Sequence, residues 1–184
     1  MKRTFILIMA MAGTFFGSEA VKLRMDYPEP ALMPQPIESK APARWGYFNL
    51  TADEGKFYLQ IGYQFENADP FNRRVGLARV EQGGKIGFIE KTGTFVIPAI
   101  YDYAGGFSEN NVCVVRLDDY VGVIDVNGNA VIPLKYDGME ELTDGWYEIW
   151  EDGEPANLWI NLQGKEAHSF SDYLRMREEE RQSR

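Results

Sequence analysis

From Lys85 onward the apolar and polar positions alternate with a period of two, in short runs broken by glycine-bearing turns. Ile86 and Phe88 alternate with their neighbours, Glu90-Lys91-Thr92-Gly93 interrupts, and Phe95 and Ile97 resume the alternation. That pattern predicts a β-hairpin. The pattern returns further on, across Asp125-Val126-Asn127-Gly128. Asn-Gly there is a strong hairpin signal because both residues tolerate positive φ. Pro98 and Pro133 are expected to end the second strand of each hairpin, since proline has no N–H for a ladder. A third strand follows each one, at Val112 to Leu117 and at Tyr147 to Trp150. Each unit is therefore predicted to be a three-stranded antiparallel meander.

The units are copies of each other. Gly87, Gly93, Val96-Ile97-Pro98 and Tyr101-Asp102 recur as Gly122, Gly128, Val131-Ile132-Pro133 and Tyr136-Asp137, each displaced by 35 positions. A repeat of this length implies supersecondary units that bury their apolar faces only by stacking on neighbours. A less regular unit precedes them from Arg44, with about five extra residues expected in a hairpin at Phe57 to Phe65. The start of another follows, at Asn157 to Gly164, where Leu158 replaces the repeated glycine. The fold class is all-β, a series of antiparallel meander repeats forming a sheet, solenoid or barrel-like domain, with a short C-terminal helix expected over Ser171 to Arg184. That helix has an apolar stripe of Phe170, Tyr173 and Leu174 and pairs Glu178–Arg181 and Glu180–Arg184 at helical spacing. It is expected to cover the open end of the sheet, with a charged far end that frays.

These residues resemble the WG-repeat family of bacterial β-repeat modules, whose units read approximately Trp-Gly-Tyr-Ile-Asp, a glycine turn, Val-Ile-Pro and Tyr-Asp. Trp45-Gly46-Tyr47-Phe48 carries the pair that gives the family its name. Ile86-Gly87-Phe88-Ile89-Glu90 and Val121-Gly122-Val123-Ile124-Asp125 keep the glycine and replace the tryptophan. The resemblance covers residues 44–165 and implies an architecture, with no reaction or ligand attached to it.

The flanks read differently. Residues 1–20 hold Lys2-Arg3, an apolar run from Thr4 to Gly17 and Ser18-Glu19-Ala20, the pattern of a cleaved signal peptide. The run is too short to span a bilayer as a helix. Residues 21–43 contain Pro28, Pro30, Pro34, Pro36 and Pro42 and are read as a linker, or an extended strap lying over the domain. Residues 166–184 form the charged C-terminal helix and tail. The expected location is the periplasm or the cell exterior, with no membrane insertion after cleavage.

Charge narrows the partners. The net charge is −9, and removing Lys2, Arg3 and Glu19 makes it −10. Such a chain is repelled by phosphate backbones and anionic headgroups, so nucleic acid is not expected as a partner. Cys113 is the only cysteine and reads as a small buried strand residue. His168 is the only histidine, lies beside the tail and reads as solvated. Asp118-Asp119 and Glu140-Glu141 read as loop charges. Asp125 to Asn129 has its glycine in the fourth position, not the sixth that a calcium loop requires. No catalytic residue, metal site or cofactor is assigned.

What stands out is the aromatic set. Tyr101 and Tyr136 recur with the fold and read as core. Trp146, Tyr147 and Trp150 break the repeat within an acidic segment, and residues four apart on a strand share a face. They are the candidate ligand-binding surface. The reading is an exported, non-catalytic repeat domain that binds a protein in the cell envelope or outside. The alternatives are a carbohydrate-binding module recognising envelope glycan through surface aromatics, or an envelope structural or inhibitor protein.

Overall fold

The computed structural model describes residues 32–37, 44–49 and 58–183. The expected signal peptide and most of the proline-rich segment lie outside them. Among the described residues the chain forms four antiparallel sheets and one helix. The first sheet holds β1 (Leu32–Ile37), β2 (Arg44–Asn49) and β3 (Tyr58–Phe65), in that order. The second holds β4 (Asn67–Ala68), β5 (Ala78–Gln82), β6 (Lys85–Ile89) and β7 (Phe95–Tyr101). The third holds β8 (Tyr103–Ala104), β9 (Val112–Leu117), β10 (Tyr120–Asp125) and β11 (Ala130–Tyr136). The fourth holds β12 (Gly138–Glu141), β13 (Trp146–Glu151), β14 (Glu154–Asn161) and β15 (Glu166–Ala167). Helix α1 (Phe170–Gln182) follows.

Part of the expected strap is a paired strand. Pro34 and Pro36 sit in β1, which pairs with β2 from Leu32↔Asn49 to Ile37↔Arg44. The two prolines are two residues apart, so both missing N–H groups fall on one side of the strand. On an edge strand that side can face away from the ladder.

The sheets stack in chain order, and alternation along each strand divides its side chains between two neighbours. Ile89 packs towards the first sheet with Tyr47, Ile61, Phe65 and Val80. Phe88, the adjacent residue, packs towards the third with Tyr101, Cys113, Val115 and Ile124. One repeat later, Ile124 faces the second sheet and Val123 the fourth, where it meets Ile132, Tyr136, Tyr147 and Ile149. Tyr101 and Tyr136 are thus core residues, as their recurrence predicts.

Two expectations are corrected. The third strand of each predicted unit does not pair with the hairpin before it. β9 pairs with β8 and β10, and β13 with β12 and β14. The chain leaves one sheet and enters the next at Asp102 and again at Asp137. Each sequence repeat therefore contributes its hairpin to one sheet and its remaining strands to the following one.

Nor does proline end the strands. β7 and β11 run through Pro98 and Pro133. Both prolines lie in register irregularities, where Phe88↔Ile97 is followed by Ile86↔Tyr101, and Val123↔Ile132 by Val121↔Tyr136. An edge strand at a bulge has no ladder bond for proline to remove. The bulge closes onto the repeated glycine. A Cβ at Gly87 would stand 2.6 Å from the Ala99 nitrogen, and one at Gly122 2.8 Å from the Ile132 oxygen. Gly46 meets the Ile61 oxygen in the same way, at 2.6 Å. The glycine and the Val-Ile-Pro run are one device, a backbone crossing too close for a side chain.

The turns from β6 to β7, from β10 to β11 and from β14 to β15 are three-residue loops. Asp125 N–H bonds the Asn129 carbonyl, Gly128 N–H bonds the Asp125 carbonyl, and Gly128 has φ of 84°. The Glu90–Thr94 and Asn161–Lys165 turns repeat this with Gly93 and Gly164. Positive φ falls on the glycine and not on Asn127, as a type I turn with a glycine bulge requires.

Candidate functional site

Each passage between sheets is built the same way. A carboxylate directly after the last strand of one sheet reaches across to a backbone N–H of a tight turn. Glu66 accepts from Gly84 N–H at 2.7 Å, Asp102 from Asp118 N–H at 2.8 Å, and Asp137 from Asp152 N–H at 3.2 Å. The turns they hold carry positive φ at Gly84, Asp118 and Asp152. This explains the repeated aspartate after each buried tyrosine, and it makes the Asp118-Asp119 pair a turn.

Charge completes two of these corners. Arg44 Nη1 bonds Glu66 Oε1 at 3.0 Å, and Lys85 Nζ bonds Asp102 Oδ1 at 2.6 Å. The bond from Gly84, with the Arg44 guanidinium adding to it, holds the Glu66 carboxyl below its ordinary range. The Lys85 bond does the same for Asp102, helped by Asp118 N–H and by the charge of Arg116. Favouring the charged form in this way is what depresses a carboxyl's titration.

The third corner opens into a groove of about 400 Å³, lined by Asp137, Gly138, Met139, Glu140, Trp150 and Gly153. Gly138 pairs with Trp150 across β12 and β13. A Cβ on Gly138 would lie 3.2 Å from the Trp150 Cβ. The absence of a side chain there leaves the strand bare beneath the tryptophan. Met139 turns partly towards the core, whereas Asp137 and Glu140 are exposed. The result is a half-buried indole in a depression with two carboxylates on its walls.

Of the three residues predicted from the sequence, Trp150 alone lines this groove. Trp146 and Tyr147 are fully buried, which removes both from any docking surface. The register shift between Ile149 and Trp150 places its extra residues, Ala156 and Asn157, in β14, and β13 pairs with β12 without interruption. Cover along the strand is what separates the two tryptophans, with Trp146 in the core beneath α1 and Trp150 half-buried. Trp146 packs under α1, edge-on to Tyr173 with ring centroids 5.5 Å apart. Tyr147 packs between the third and fourth sheets with Ile132 and Ile160. Its hydroxyl has no hydrogen-bond partner within geometric reach, and burial raises its titration far above the ordinary range. The groove places of Asp137, Gly138, Met139, Glu140 and Gly153 escaped the sequence reading, which took Asp137 for a repeat residue and Glu140-Glu141 for loop charges where the structure has strand β12. Their only sequence signal is that Trp150 departs from the residue class of its repeat partner.

The remaining candidate chemistry is structural. Cys113 is buried and its thiol donates to the Gly105 carbonyl at 3.2 Å; burial pushes its titration up to about 12. A thiol held protonated in this way is inert. His168 is largely exposed beside Glu166. Asp125 accepts bonds from Asn127 N–H and Asn129 N–H at 2.8 and 2.9 Å within its own turn. Among the described residues no group of three or more His, Cys, Asp and Glu side chains is placed to hold a metal ion. None of their helices is long and apolar enough to cross a membrane.

Stacked three- and four-stranded sheets joined through carboxylate corners, with an open groove at the third corner, define a β-repeat domain. The family model of the WG containing repeat matches residues 61–85, 86–120 and 122–153, half of the chain, and the chain belongs to that family. The matched unit 86–120 begins in β6 and ends at the start of β10, so the family's repeat straddles two sheets. Comparison with curated proteins and with solved structures gives no significant match.

Proposed function

We propose that this chain is a non-catalytic protein-binding repeat domain that works outside the cytoplasm, in the periplasm or beyond the cell. The observation that carries the reading is the groove at the third corner, where half-buried Trp150 lies across Gly138 with Asp137 and Glu140 beside it. A large aromatic ring recessed in a depression is the kind of anchor site on which binding energy concentrates. Export is supported by the charged, apolar and small-residue pattern of residues 1–20. The non-catalytic reading is supported by where the perturbed groups are: Glu66, Asp102, Asp125 and Asp172 all spend their charge on partners within the fold.

The test uses the full-length chain and its Trp150→Ala variant against solubilised cell-envelope proteins. A protein retained by the wild type is purified and its binding measured directly. Saturable one-to-one binding, weakened at least about tenfold in the variant, supports the reading; tenfold is the scale of losing one such anchor. Recovery of glycan in place of protein transfers the groove to carbohydrate recognition. Equal binding by both proteins removes Trp150 from function. Sequencing the N-terminus of protein recovered from outside the cytoplasm tests export, since cleavage after residue 20 is expected.

A further inference from the structure

The three corners occupy equivalent register positions, so each is a control for the others. Trp45↔Phe65, Ile86↔Tyr101 and Val121↔Tyr136 are the matching pairs. The residue before each pair is Arg44, Lys85 or Tyr120, and the residue after it is Glu66, Asp102 or Asp137. A second set of pairs, Asn67↔Glu81, Tyr103↔Arg116 and Gly138↔Trp150, lies on the other side of each corner. In the second corner two cations attend the carboxylate, Lys85 by contact and Arg116 through its field. In the third the carboxylate is kept and both cations are exchanged for aromatic rings, Lys85 for Tyr120 and Arg116 for Trp150. The bulk of Tyr103 is also removed, to Gly138. Among the described residues Asp137 has no cationic side chain within ion-pair distance, whereas Glu66 and Asp102 each do. Asp137 is nevertheless held in place by Asp152 N–H, and Tyr120 is about half exposed.

We infer that the third corner is an empty cation seat, and that its occupant is an arginine or lysine side chain of a partner protein. The inference rests on the reading of the Trp150 groove as a docking surface and names what docks there. The chemistry is that of the first two corners with the cation supplied in trans. Asp137 and Glu140 provide the negative charge and Trp150 a ring face, which attracts a cation through its quadrupole, while Tyr120 stands at the position that Lys85 holds in the second corner. Arginine suits the seat better than lysine, because a planar guanidinium stacks on an aromatic face while bonding a carboxylate. An acidic chain also steers basic segments towards itself over longer range.

The experiment titrates the isotopically labelled full-length chain with a tri-arginine peptide and with its tri-citrulline counterpart, which keeps the shape and lacks the charge. The Trp150 indole N–H and the Gly138 and Gly153 amides are followed by NMR. Tri-arginine is expected to shift these signals saturably and tri-citrulline is not. Asp137→Asn is expected to weaken binding at least about fivefold. Tyr120→Lys restores the chain's own cation at the position where Lys85 works, and is expected to weaken binding at least as much while leaving the fold intact. The inference is overturned if both variants bind tri-arginine like the wild type, or if the shifts spread over the acidic surface without singling out Trp150. A partner that depends on Trp150 but ignores Tyr120→Lys would also overturn it, while leaving the protein-binding reading standing. Conversely, tri-arginine binding at the corner with no protein partner keeps the seat and removes the proposed function.

Discussion

The third and fourth sheets are built from corresponding strands, yet they end in different ways. In the third, β11 is seven residues long, arches over Gly122 through its Pro133 bulge, and the sheet's outer face is covered by another sheet. In the fourth, β15 is two residues long and pairs with Trp159 and Ile160 alone. Among the described residues no strand passes over the position equivalent to Gly122, and Leu158 stands there. The outer face is covered by α1, with Trp146, Trp159, Ala167 and Tyr173 forming the last core. Tyr173 stacks on Trp159 at 5.8 Å with the rings 18° from parallel. The difference teaches that glycine at the repeat position is demanded by the strand crossing it, and that an array of such sheets stops when a helix replaces the next sheet.

The helix is fixed at both ends. Ser169 caps its start, its hydroxyl accepting from Asp172 N–H at 3.2 Å and donating to Asp172 Oδ2 at 2.8 Å. Near its far end Glu180 accepts from Trp146 Nε1 at 3.1 Å, Asn161 Nδ2 at 2.6 Å and Lys165 Nζ at 3.3 Å. The expected fraying is therefore not seen as far as Gln182. The charge that suggested solvation is turned inward, where it satisfies two buried donors.

The largest effect expected on this comparison is at Trp146. Trp146→Ala empties the space beneath α1 and leaves Glu180 with one fewer donor, for a loss of about 3–5 kcal/mol of stability. For a chain of this size that is a fall in Tm of roughly 6–20 °C. Urea or thermal unfolding measures it, and a loss below about 1 kcal/mol would mean that the fourth sheet does not depend on its helix.

A smaller effect is expected at Gly122. Gly122→Ala places a methyl group 2.8 Å from backbone atoms of both Ile132 and Leu134, and rigid backbone cannot yield as a flexible side chain would. The expected cost is about 1–3 kcal/mol, as for other overpacked sites. Thermal unfolding checks it. An unchanged Tm would show that the Pro133 bulge is free to lift, and the contrast with Leu158 would lose its explanation.

The smallest effect sharpens the corner comparison and depends on pH. The Lys85 bond, with the Asp118 N–H bond beside it, lowers the Asp102 carboxyl below its ordinary value. A folded-state pKa below the unfolded one means that the unfolded chain binds protons first as pH falls. The stabilisation is therefore fully present above the ordinary aspartate range, near pH 4, and is lost as pH drops through the lower folded value. Asp102→Asn is accordingly expected to lower Tm at neutral pH, with the gap from wild type closing as pH falls below the ordinary aspartate range. A gap that stays constant from pH 7 to pH 2 would show that the loss is one of hydrogen-bond geometry and not of charge.

Much of this was legible before any coordinates. Alternation around Ile86, Phe88, Phe95 and Ile97 marks a strand pair wherever it occurs, because side chains on a pleated strand point alternately to two faces. Recurrence of Tyr101 as Tyr136 marked both as core, since a residue kept at the fold's own period serves the fold. The groove was legible only in part. Trp150 announced itself by breaking the repeat, but so did Trp146 and Tyr147, and composition cannot tell an aromatic ring beneath a helix from one beside a groove.

The amino-acid sequence by itself determined the all-β class, the 35-residue period, the positions of the glycine turns and the terminal helix, because each of these is set by local patterning and backbone sterics. Tertiary structure alone decided where one sheet stops and the next begins. A period specifies how often the chain repeats but not its phase. That phase was chosen at Asp102 and Asp137, where a carboxylate holds a turn belonging to the following sheet, and tight turns such as Asp118-Asp119 bind β9 to β10 and not to β7. It likewise decided the fate of the tryptophans, for burial depends on what the chain brings from far away: Tyr173 and Glu180 over Trp146, and nothing described over Trp150.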